Sequence, residues 1–204
     1  MTLVTCNLSV SLDGFSAGPH PSRERPFGDV VGTGEILHSW MFDHAPEHAE
    51  EIAGILRAGA FVMGRGMFSP DQGPWDHDWC GWWGEEPPYR APVFVLTHHE
   101  RPALEMKGGT TFHFVTGGLD EALERAREAA GERDVSVAGG ATVVNACLQA
   151  GVIDELRLHV APVVLDIPGG VRLFDGVGRH ALEAVSARHT PEVTHLVYRR
   201  RRAD

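Results

Sequence analysis

The most informative segment of the chain reads Val135-Ser136-Val137-Ala138-Gly139-Gly140-Ala141-Thr142 and continues into Val143-Val144-Asn145-Ala146-Cys147-Leu148. The apolar residues before the glycine pair predict a buried strand, and the alanine-rich run after the pair predicts a helix. Glycine lets a ligand approach the backbone closely, and the first N–H groups of a helix attract anions. A cofactor that carries a pyrophosphate is therefore the first hypothesis, and a tight connection without a ligand is the alternative.

Two further strand ends carry groups of matching chemistry. Residues 60–63 form an apolar run that leads into Gly64-Arg65-Gly66-Met67, and residues 92–96 form a second apolar run that leads into Thr97-His98. The first end offers a fixed cation, and the second offers hydroxyl and imidazole groups that suit a phosphate. Ligands of open α/β sheets bind beyond the carboxyl ends of the strands, so three such ends favour one extended nucleotide.

The remaining sequence alternates between strand and helix patterns. A helical period occurs in residues 47–58 and 119–130, and strands are predicted at 3–11, 60–63, 93–97, 111–115, 135–138, 153–164, 182–189 and 193–200. The alternation predicts one α/β domain over residues 1–204, with three αβα layers. Its sheet is expected to be mixed and mostly parallel, with about eight strands and an antiparallel C-terminal edge.

Composition restricts the partners of the chain. Its 204 residues carry a formal net charge of -10, and the only basic cluster is Arg199–Arg202, so no nucleic-acid partner is expected. No apolar run reaches membrane-spanning length, so no membrane partner is expected. Three widely spaced cysteines are typical of reduced thiols, which favours a cytoplasmic location. Asp76, His77 and Asp78 are adjacent and lack the usual ligand spacing, so no metal site is predicted.

The segments together resemble the dihydrofolate reductase-like superfamily, and in particular its RibD C-terminal branch, the reductase domain of bacterial riboflavin biosynthesis proteins. Five landmarks occur in the order of that family and cover nearly the whole chain: residues 11–14, 63–65, 95–97, 138–141, and 151–162 followed by 169–174. The resemblance implies an NADPH-dependent oxidoreductase that transfers a hydride to a small heterocyclic substrate. It also implies a homodimer.

The resemblance leaves three functions in order of preference. The first is reduction of a ribosylaminopyrimidine, as by a 5-amino-6-(5-phosphoribosylamino)uracil reductase. The second is a dihydrofolate or pterin reductase, and the third is a nucleotide-binding protein without turnover. Dihydrofolate reductases carry a pterin-binding carboxylate on the helix before the glycine-arginine turn, whereas Glu47, Glu50 and Glu51 are expected on the exposed face of that helix. No second basic cluster for a ribosyl phosphate is evident in the sequence.

The same resemblance assigns the cofactor residues. The pyrophosphate would be bound by the turn and first helical residues Ala138, Gly139, Gly140, Ala141, Thr142 and Val143. The 2′-phosphate would be bound near Arg65, Thr97 and His98, with Gly64, Gly66, Met67 and Leu96 beside them. A guanidinium fork matches phosphate oxygens, which selects NADP over NAD. The alternatives are an exposed cation at a helix start for Arg65 and an edge-strand hydroxyl for Thr97.

The substrate half of the site is less clear from sequence. Ser16 and Ala17 would lie near the nicotinamide, and Asp13 is either a catalytic carboxylate or a turn-former. Residues 74–83, called here the tryptophan loop, contain the candidate substrate-stacking residues Trp75, Trp82 and Trp83. Packing of the loop onto the body or onto another subunit is the alternative. His159 is predicted on a buried strand, as a substrate ligand or as a hydrogen-bonded structural histidine.

Overall fold

The computed structural model describes residues 2–30 and 32–201. Within these residues the strands are β1 (Val4–Val10), β2 (Ala60–Gly64), β3 (Pro92–Leu96), β4 (Leu104–Glu105), β5 (Thr111–Val115), β6 (Val135–Gly139), β7 (Glu155–Val160), β8 (Leu182–His189) and β9 (Thr194–Arg200). The helices are α1 (Thr33–Phe42), α2 (Ala49–Leu56), α3 (Arg65–Phe68), α4 (Gly118–Ala130) and α5 (Ala141–Gln149). Short 3₁₀ turns occupy Ala45–His48 and Lys107–Gly109.

All nine strands belong to one sheet with the order β4-β5-β3-β2-β6-β1-β7-β9-β8. The pairs from β5 to β7 are parallel, and the pairs β4-β5, β7-β9 and β9-β8 are antiparallel. The predicted mixed sheet with an antiparallel C-terminal edge is therefore confirmed. The ninth strand, β4, was not predicted, because a strand of two residues has no period to detect.

Two predicted elements differ from the structure by more than one residue at an end. The strand predicted to run to residue 164 ends at Val160, shortly before Pro162, which has no N–H to donate to a sheet. The helix predicted over residues 47–58 begins as a 3₁₀ turn and continues as α2 to Leu56. Both changes shorten the elements without altering their order along the chain.

One face of the sheet is covered by α4 and α5. Alternate residues of β1 point to this face and are apolar, namely Val4, Cys6, Leu8 and Val10. They pack with side chains of both helices, including Leu123, Ala126, Val144 and Leu148, in the larger hydrophobic cluster of the protein. Burial of these apolar side chains contributes stability.

The opposite face is covered by two different structures. Beneath the tryptophan loop, β2, β3 and β5 present the apolar side chains Phe61, Met63, Val93, Val95 and Phe112. Beneath α1 and α2, the strands β1, β7 and β9 present polar side chains, among them Asn7, Ser9, His159 and His195, all of them buried. Of the candidate substrate residues, His159 lies in this polar half, whereas Trp75, Trp82 and Trp83 belong to the tryptophan loop over the apolar half.

Candidate functional site

The glycine turn lies at the carboxyl end of β6, between the ends of β2 and β1. Gly139 has a φ of 121°, a conformation that favours glycine, and the Gly139–Gly140 peptide is cis. A Cβ at Gly139 would lie 3.5 Å from Leu8, and a Cβ at Gly64 would lie 2.8 Å from Val143. The glycines at both strand ends therefore allow a close approach between β2, the turn and the start of α5.

The N-terminus of α5 is open for an anion. Gly140 is the N-cap of this nine-residue helix, and no side chain caps it. The N–H groups of Val143 and Val144 both bind the carbonyl of Gly140, whereas helix geometry leaves those of Ala141 and Thr142 without an intrahelical acceptor. A Cβ added to Gly140 would meet no described heavy atom within 4 Å. Free N–H groups and open space beside them are what a pyrophosphate requires.

The three predicted strand ends lie side by side, because β3, β2 and β6 are neighbours in the sheet. Gly64 pairs with Leu96, and Met63 pairs with Gly139. Thr97, the residue after Leu96, continues the edge with a hydrogen bond from its N–H to Val115 O at 3.0 Å. The structure thus brings the glycine turn, the glycine-arginine turn and the threonine-histidine end to one edge.

Arg65 is not an exposed cation, since only 8% of it is accessible. Its Nε donates to the carbonyl of Asp71 at 2.8 Å, and its Nη2 donates to the carbonyl of Gly73. The guanidinium lies 3.8 Å above the ring of Trp75, and burial lowers the pKa of the side chain. Its Nη1 is buried and has no hydrogen-bond partner among the described residues. Arg65 therefore anchors the following loop and keeps one donor for a ligand.

Thr97 and His98 differ in accessibility. Thr97 is buried, and its Oγ1 accepts a hydrogen bond from the N–H of His99 at 3.1 Å. His98 is exposed. The hydroxyl of Thr97 consequently shapes the turn after β3, and the imidazole of His98 is accessible to solvent.

Asp13 ties two loops together. Its carboxylate accepts hydrogen bonds from the hydroxyl of Ser11 at 2.6 Å and from the N–H groups of Leu165 and Asp166 at 3.1 and 2.8 Å. Although desolvation acts to raise it, these three donors hold the pKa of Asp13 at about 2. Such a carboxylate accepts hydrogen bonds and does not release a proton near neutrality. The geometry favours the turn-forming role, and Ser16 and Ala17 follow half-buried in the same loop.

The rings of the tryptophan loop face the protein. Trp75 donates its indole N–H to His99 O at 2.8 Å, and its ring meets Phe114 edge-on at 4.9 Å. Trp83 stacks on Phe112 at 5.8 Å. Trp82 is half-buried and contacts Trp79 edge-on at 4.8 Å. These contacts favour the alternative in which the tryptophans pack the loop onto the sheet.

A groove of about 310 Å³ lies between α2 and the polar half of the sheet. We call it the polar groove; its lining consists of Asn7, Glu50, Glu51, Gly54, Glu155, Arg157, His159, Val185, Ser186, Arg188, His195, Leu196, Val197 and Arg199. The groove holds the second basic cluster that was not evident in the sequence. Its arginines are neutralised, because Arg157 and Arg199 both pair with Glu155, and Arg188 pairs with Glu51.

Sequence reasoning missed most of this groove. Glu51 was expected on an exposed helix face but pairs with Arg188 across the groove. Asn7, Arg188 and His195 were not singled out, because Asn7 lies on β1, which is far along the chain from the paired strands β8 and β9 that carry the other two. The available signal was the alternation of polar residues in β1 and β7, which is typical of strands with one polar face.

His159 is buried in the polar half and is hydrogen-bonded. Its Nδ1 lies 2.7 Å from Nδ1 of His195, and its ring lies 4.5 Å from that of Trp40. Trp40 in turn donates its indole N–H to the hydroxyl of Ser9. The histidine therefore has the partner that a structural role requires, while its Nε2 is buried without a partner in the described part of the chain.

No helix among residues 2–30 and 32–201 combines the length and apolar character needed to cross a bilayer.

A family model described as the RibD C-terminal domain matches residues 2–196. No curated protein is similar enough to match the chain.

Several solved structures share the fold. A putative riboflavin biosynthesis protein from Shewanella sp. PV-4 is 21% identical with a TM-score of 0.59, over 98% of this chain and 100% of that one. RibD from Acinetobacter baumannii is 16% identical with a TM-score of 0.59, over 98% of this chain and 58% of that one. Dihydrofolate reductase from Enterococcus faecalis, complexed with NADP(H), is 15% identical with a TM-score of 0.58, over 97% and 96%. The family model and the shared fold confirm the resemblance, and the chain belongs to the RibD C-terminal domain family.

Proposed function

We propose that the protein is an NADPH-dependent reductase that transfers a hydride to a small heterocycle, a pyrimidine of the 5-amino-6-(5-phosphoribosylamino)uracil type. Membership of the RibD C-terminal family supports a reductase of the riboflavin or dihydrofolate reductase kind. The observation that carries the proposal is the single edge formed by the ends of β3, β2 and β6, with the open N-terminus of α5 at its centre. Such an edge is where α/β sheets bind nucleotides.

The residues present fit a phosphorylated dinucleotide. The N–H groups of Ala141 and Thr142 would hold the pyrophosphate, and Gly140 leaves room for it. The unpartnered Nη1 of Arg65 would bind a 2′-phosphate oxygen, which accounts for a buried donor that otherwise has no acceptor. When bound, NADPH supplies the hydride.

The loop after β1 would hold the reacting end of the cofactor. Asp13 fixes this loop against residues 165–166 through two backbone N–H groups. A loop held in this way keeps Ser16 and Ala17 in place beside the nicotinamide and excludes water from the hydride path. In this proposal Asp13 positions the loop, and the proton donor is a separate group.

The runner-up, a pterin-type reductase, has one observation in its favour. Glu51 lies on the helix before the glycine-arginine turn and faces the polar groove, as a pterin-binding carboxylate would. Both of its oxygens, however, accept hydrogen bonds from Arg188, at 2.7 and 2.9 Å. A carboxylate committed to a guanidinium is a poor ligand for a pterin ring, so we place the pyrimidine first.

Fluorescence titration with NADPH and NADH tests the cofactor, and Gly140→Val tests the turn. Since Gly140 has a φ of -77° and open space around it, valine should fold there and obstruct only the ligand. Loss of two charge-assisted hydrogen bonds should lower the affinity for NADPH by roughly 100-fold. Ala129→Val, which also enlarges a small residue to valine but at an exposed position of α4, is the control and should bind NADPH normally. Unchanged affinity in Gly140→Val would exclude this turn from the site.

Arg65→Ala tests the selectivity for the extra phosphate. The variant should lose NADPH affinity by about tenfold or more while NADH affinity changes little, because only NADPH carries the phosphate. Arg65 also anchors the loop through the carbonyls of Asp71 and Gly73, so the ratio of the two affinities is the informative quantity. Equal losses of affinity for NADPH and NADH would indicate that Arg65 only anchors the loop and does not bind the 2′-phosphate.

Turnover is the final test. Pyrimidine and pterin acceptors are offered at saturating NADPH, and oxidation is followed by absorbance. Oxidation with the ribosylaminopyrimidine supports the first proposal, and oxidation with the pterin alone supports the runner-up. Tight NADPH binding without oxidation by any acceptor would indicate a nucleotide-binding protein without turnover.

A further inference from the structure

Three buried histidines form a continuous chain of ring contacts beside the polar groove. Nδ1 of His159 lies 2.7 Å from Nδ1 of His195, and Nε2 of His195 lies 2.8 Å from Nδ1 of His48. The rings come from β7, β9 and the 3₁₀ turn before α2. Each contact joins two ring nitrogens, so one nitrogen of each pair must carry the proton and the other must accept it.

The inner two histidines are neutral at physiological pH. Burial lowers the pKa of His159 to about 3 and that of His195 to about 4. A neutral imidazole has one N–H and one lone pair, so fixing the proton on one nitrogen fixes the other nitrogen as an acceptor. The donor and acceptor in each of the histidine contacts therefore follow once the tautomer of any one ring is known.

Arg188 favours one tautomer at the outer end. Its Nη2 lies 3.0 Å from Nδ1 of His48, 2.9 Å from Oε2 of Glu51 and 3.3 Å from the carbonyl of Glu47, and a guanidinium can only donate. Its two Nη2 protons are shared among three acceptors, and a proton on Nδ1 of His48 would face this cation at 3.0 Å. The arrangement therefore favours a lone pair on this nitrogen, directed toward Arg188 and His195. It follows that His195 donates from Nε2 and accepts at Nδ1. His159 then donates from Nδ1, and its Nε2 is left unprotonated.

We propose that Arg188, acting through His48 and His195, holds His159 in the tautomer with a bare Nε2, and that this nitrogen accepts a hydrogen bond from an N–H or O–H group of the ligand in the polar groove. The Nε2 atom is buried and has no partner among the described residues, which is costly unless a ligand supplies a donor. His159 lines the polar groove, whose volume suits a small heterocycle.

A second unpaired group in the same groove restricts the chemical class of the ligand. The Nδ2 of Asn7 is buried and also lacks an acceptor within the described chain. Asn7 and His159 lie on adjacent strands, with Ser9 of β1 opposite His159. A ligand that satisfies both presents a donor and an acceptor on one edge, as the lactam group of a pyrimidine or pterin does. This assignment of the ligand rests on the proposed function, whereas the tautomer does not.

A metal ion is the competing explanation for the cluster. His48, Glu51 and His195 offer ligand atoms that all lie within 4.8 Å of one another. Arg188 lies among them, however, and binds Glu51 through two nitrogens while approaching His48. A divalent cation there would face a guanidinium at close range, which is unfavourable. The arrangement instead matches a hydrogen-bonded chain ended by a fixed donor.

The tautomer is measured directly by two-bond ¹⁵N–¹H correlation spectra of the histidine rings, in full-length protein without ligand. We expect His159 as the Nδ1–H tautomer with an unprotonated Nε2. Arg188→Met should release this preference and populate the Nε2–H form. Arg199→Met is the matched control, because it removes another arginine of the polar groove, one that pairs with the buried Glu155. This variant should leave the histidine spectrum unchanged. An Nε2–H or doubly protonated His159 in the wild-type protein would overturn the proposal.

The ligand role is tested with uracil and 1,3-dimethyluracil as probes. Uracil should shift the Nε2 resonance of His159, and the dimethyl compound, which has no N–H, should bind about fivefold more weakly, as expected for one lost hydrogen bond. Equal shifts from both probes, or none from either, would exclude the acceptor role. NADPH titration of the same sample separates the two proposals. Absence of NADPH binding would exclude the proposed reductase function but would not affect the result on the tautomer.

Discussion

One face of the sheet divides into two halves of opposite chemistry. Beneath the tryptophan loop it is apolar and filled by aromatic rings, whereas beneath α1 and α2 it is polar. Buried atoms without a partner among the described residues occur in the polar half at Asn7 and His159, and beside the aromatic rings at Arg65 and Arg101. Burial of apolar surface stabilises a fold by about 25 cal/mol per Å², whereas a buried polar group costs free energy unless it is hydrogen-bonded. The two halves share one sheet, so the difference is not a property of the fold. We expect the aromatic half to carry most of the stability of this face, and the buried groups without a described partner to lower it.

The largest expected effect lies in the aromatic half. Phe112 is fully buried and contacts the rings of Phe68 and Trp83, so Phe112→Ala leaves a cavity that the surrounding rings cannot fill. We expect the free energy of unfolding to fall by about 3–5 kcal/mol, measured by urea denaturation. Phe42→Ala, at a phenylalanine that is 70% exposed, is the control and should change stability by less than about 0.5 kcal/mol. A small loss at Phe112 would mean that this half does not carry the stability.

The sequence predicted the strands of the aromatic half and the three strand ends that lie at one edge, because their signals are local. Glycine pairs and apolar runs of four or five residues define β2, β3 and β6 and the turns after them, and these elements were found with errors of about one residue. Helix α1 was not predicted, because its N-cap is a left-handed Gly32 without a capping side chain. Local patterns also do not show where a long side chain points, so the inward fold of Arg65 onto two carbonyls was not foreseen.

The polar groove depends on contacts that the sequence does not encode locally. His159 and His195 meet because they are opposite each other in the β7-β9 register, although they are 36 residues apart. Arg188 reaches His48 across 140 residues. A single sequence fixes the alternation within each strand but not which strands become neighbours. Only the polar face of each strand, and not the groove, was therefore predictable.

Asn7→Leu tests whether an unpaired buried group of the polar half lowers the free energy of unfolding. The Nδ2 of Asn7 is buried without an acceptor in the described structure, so an apolar side chain of similar size should raise the free energy of unfolding by about 1–2 kcal/mol. Ser9→Ala, on the same face of β1, is the matched control. Its hydroxyl accepts the indole N–H of Trp40, so its removal should destabilise by about 1 kcal/mol. Destabilisation by both variants would show that the amide is satisfied and that the two halves are energetically alike.

Asp13→Asn tests a partly exposed polar group that has all of its hydrogen-bond partners, and its effect should be the smallest. Unlike Asn7, the Asp13 carboxylate has three hydrogen-bond donors, which lower its pKa from 3.8 to about 2 against the opposing effect of desolvation. A lowered folded-state pKa stabilises the protein above pH 3.8, and this contribution disappears as the pH falls from 3.8 toward 2. Because the group is mostly solvated, the variant should lose less than about 1 kcal/mol at pH 7.

The pH profile of unfolding distinguishes this origin from simple loss of a turn residue. The stability difference between wild type and Asp13→Asn should be constant from pH 5 to 7 and should shrink below pH 4, because Asp13 is then protonated first in the unfolded chain and, nearer pH 2, also in the folded protein. A difference that persists unchanged to pH 2 would assign the effect to backbone geometry of the turn. A shrinking difference would assign it to the ionised carboxylate and its three hydrogen-bond donors.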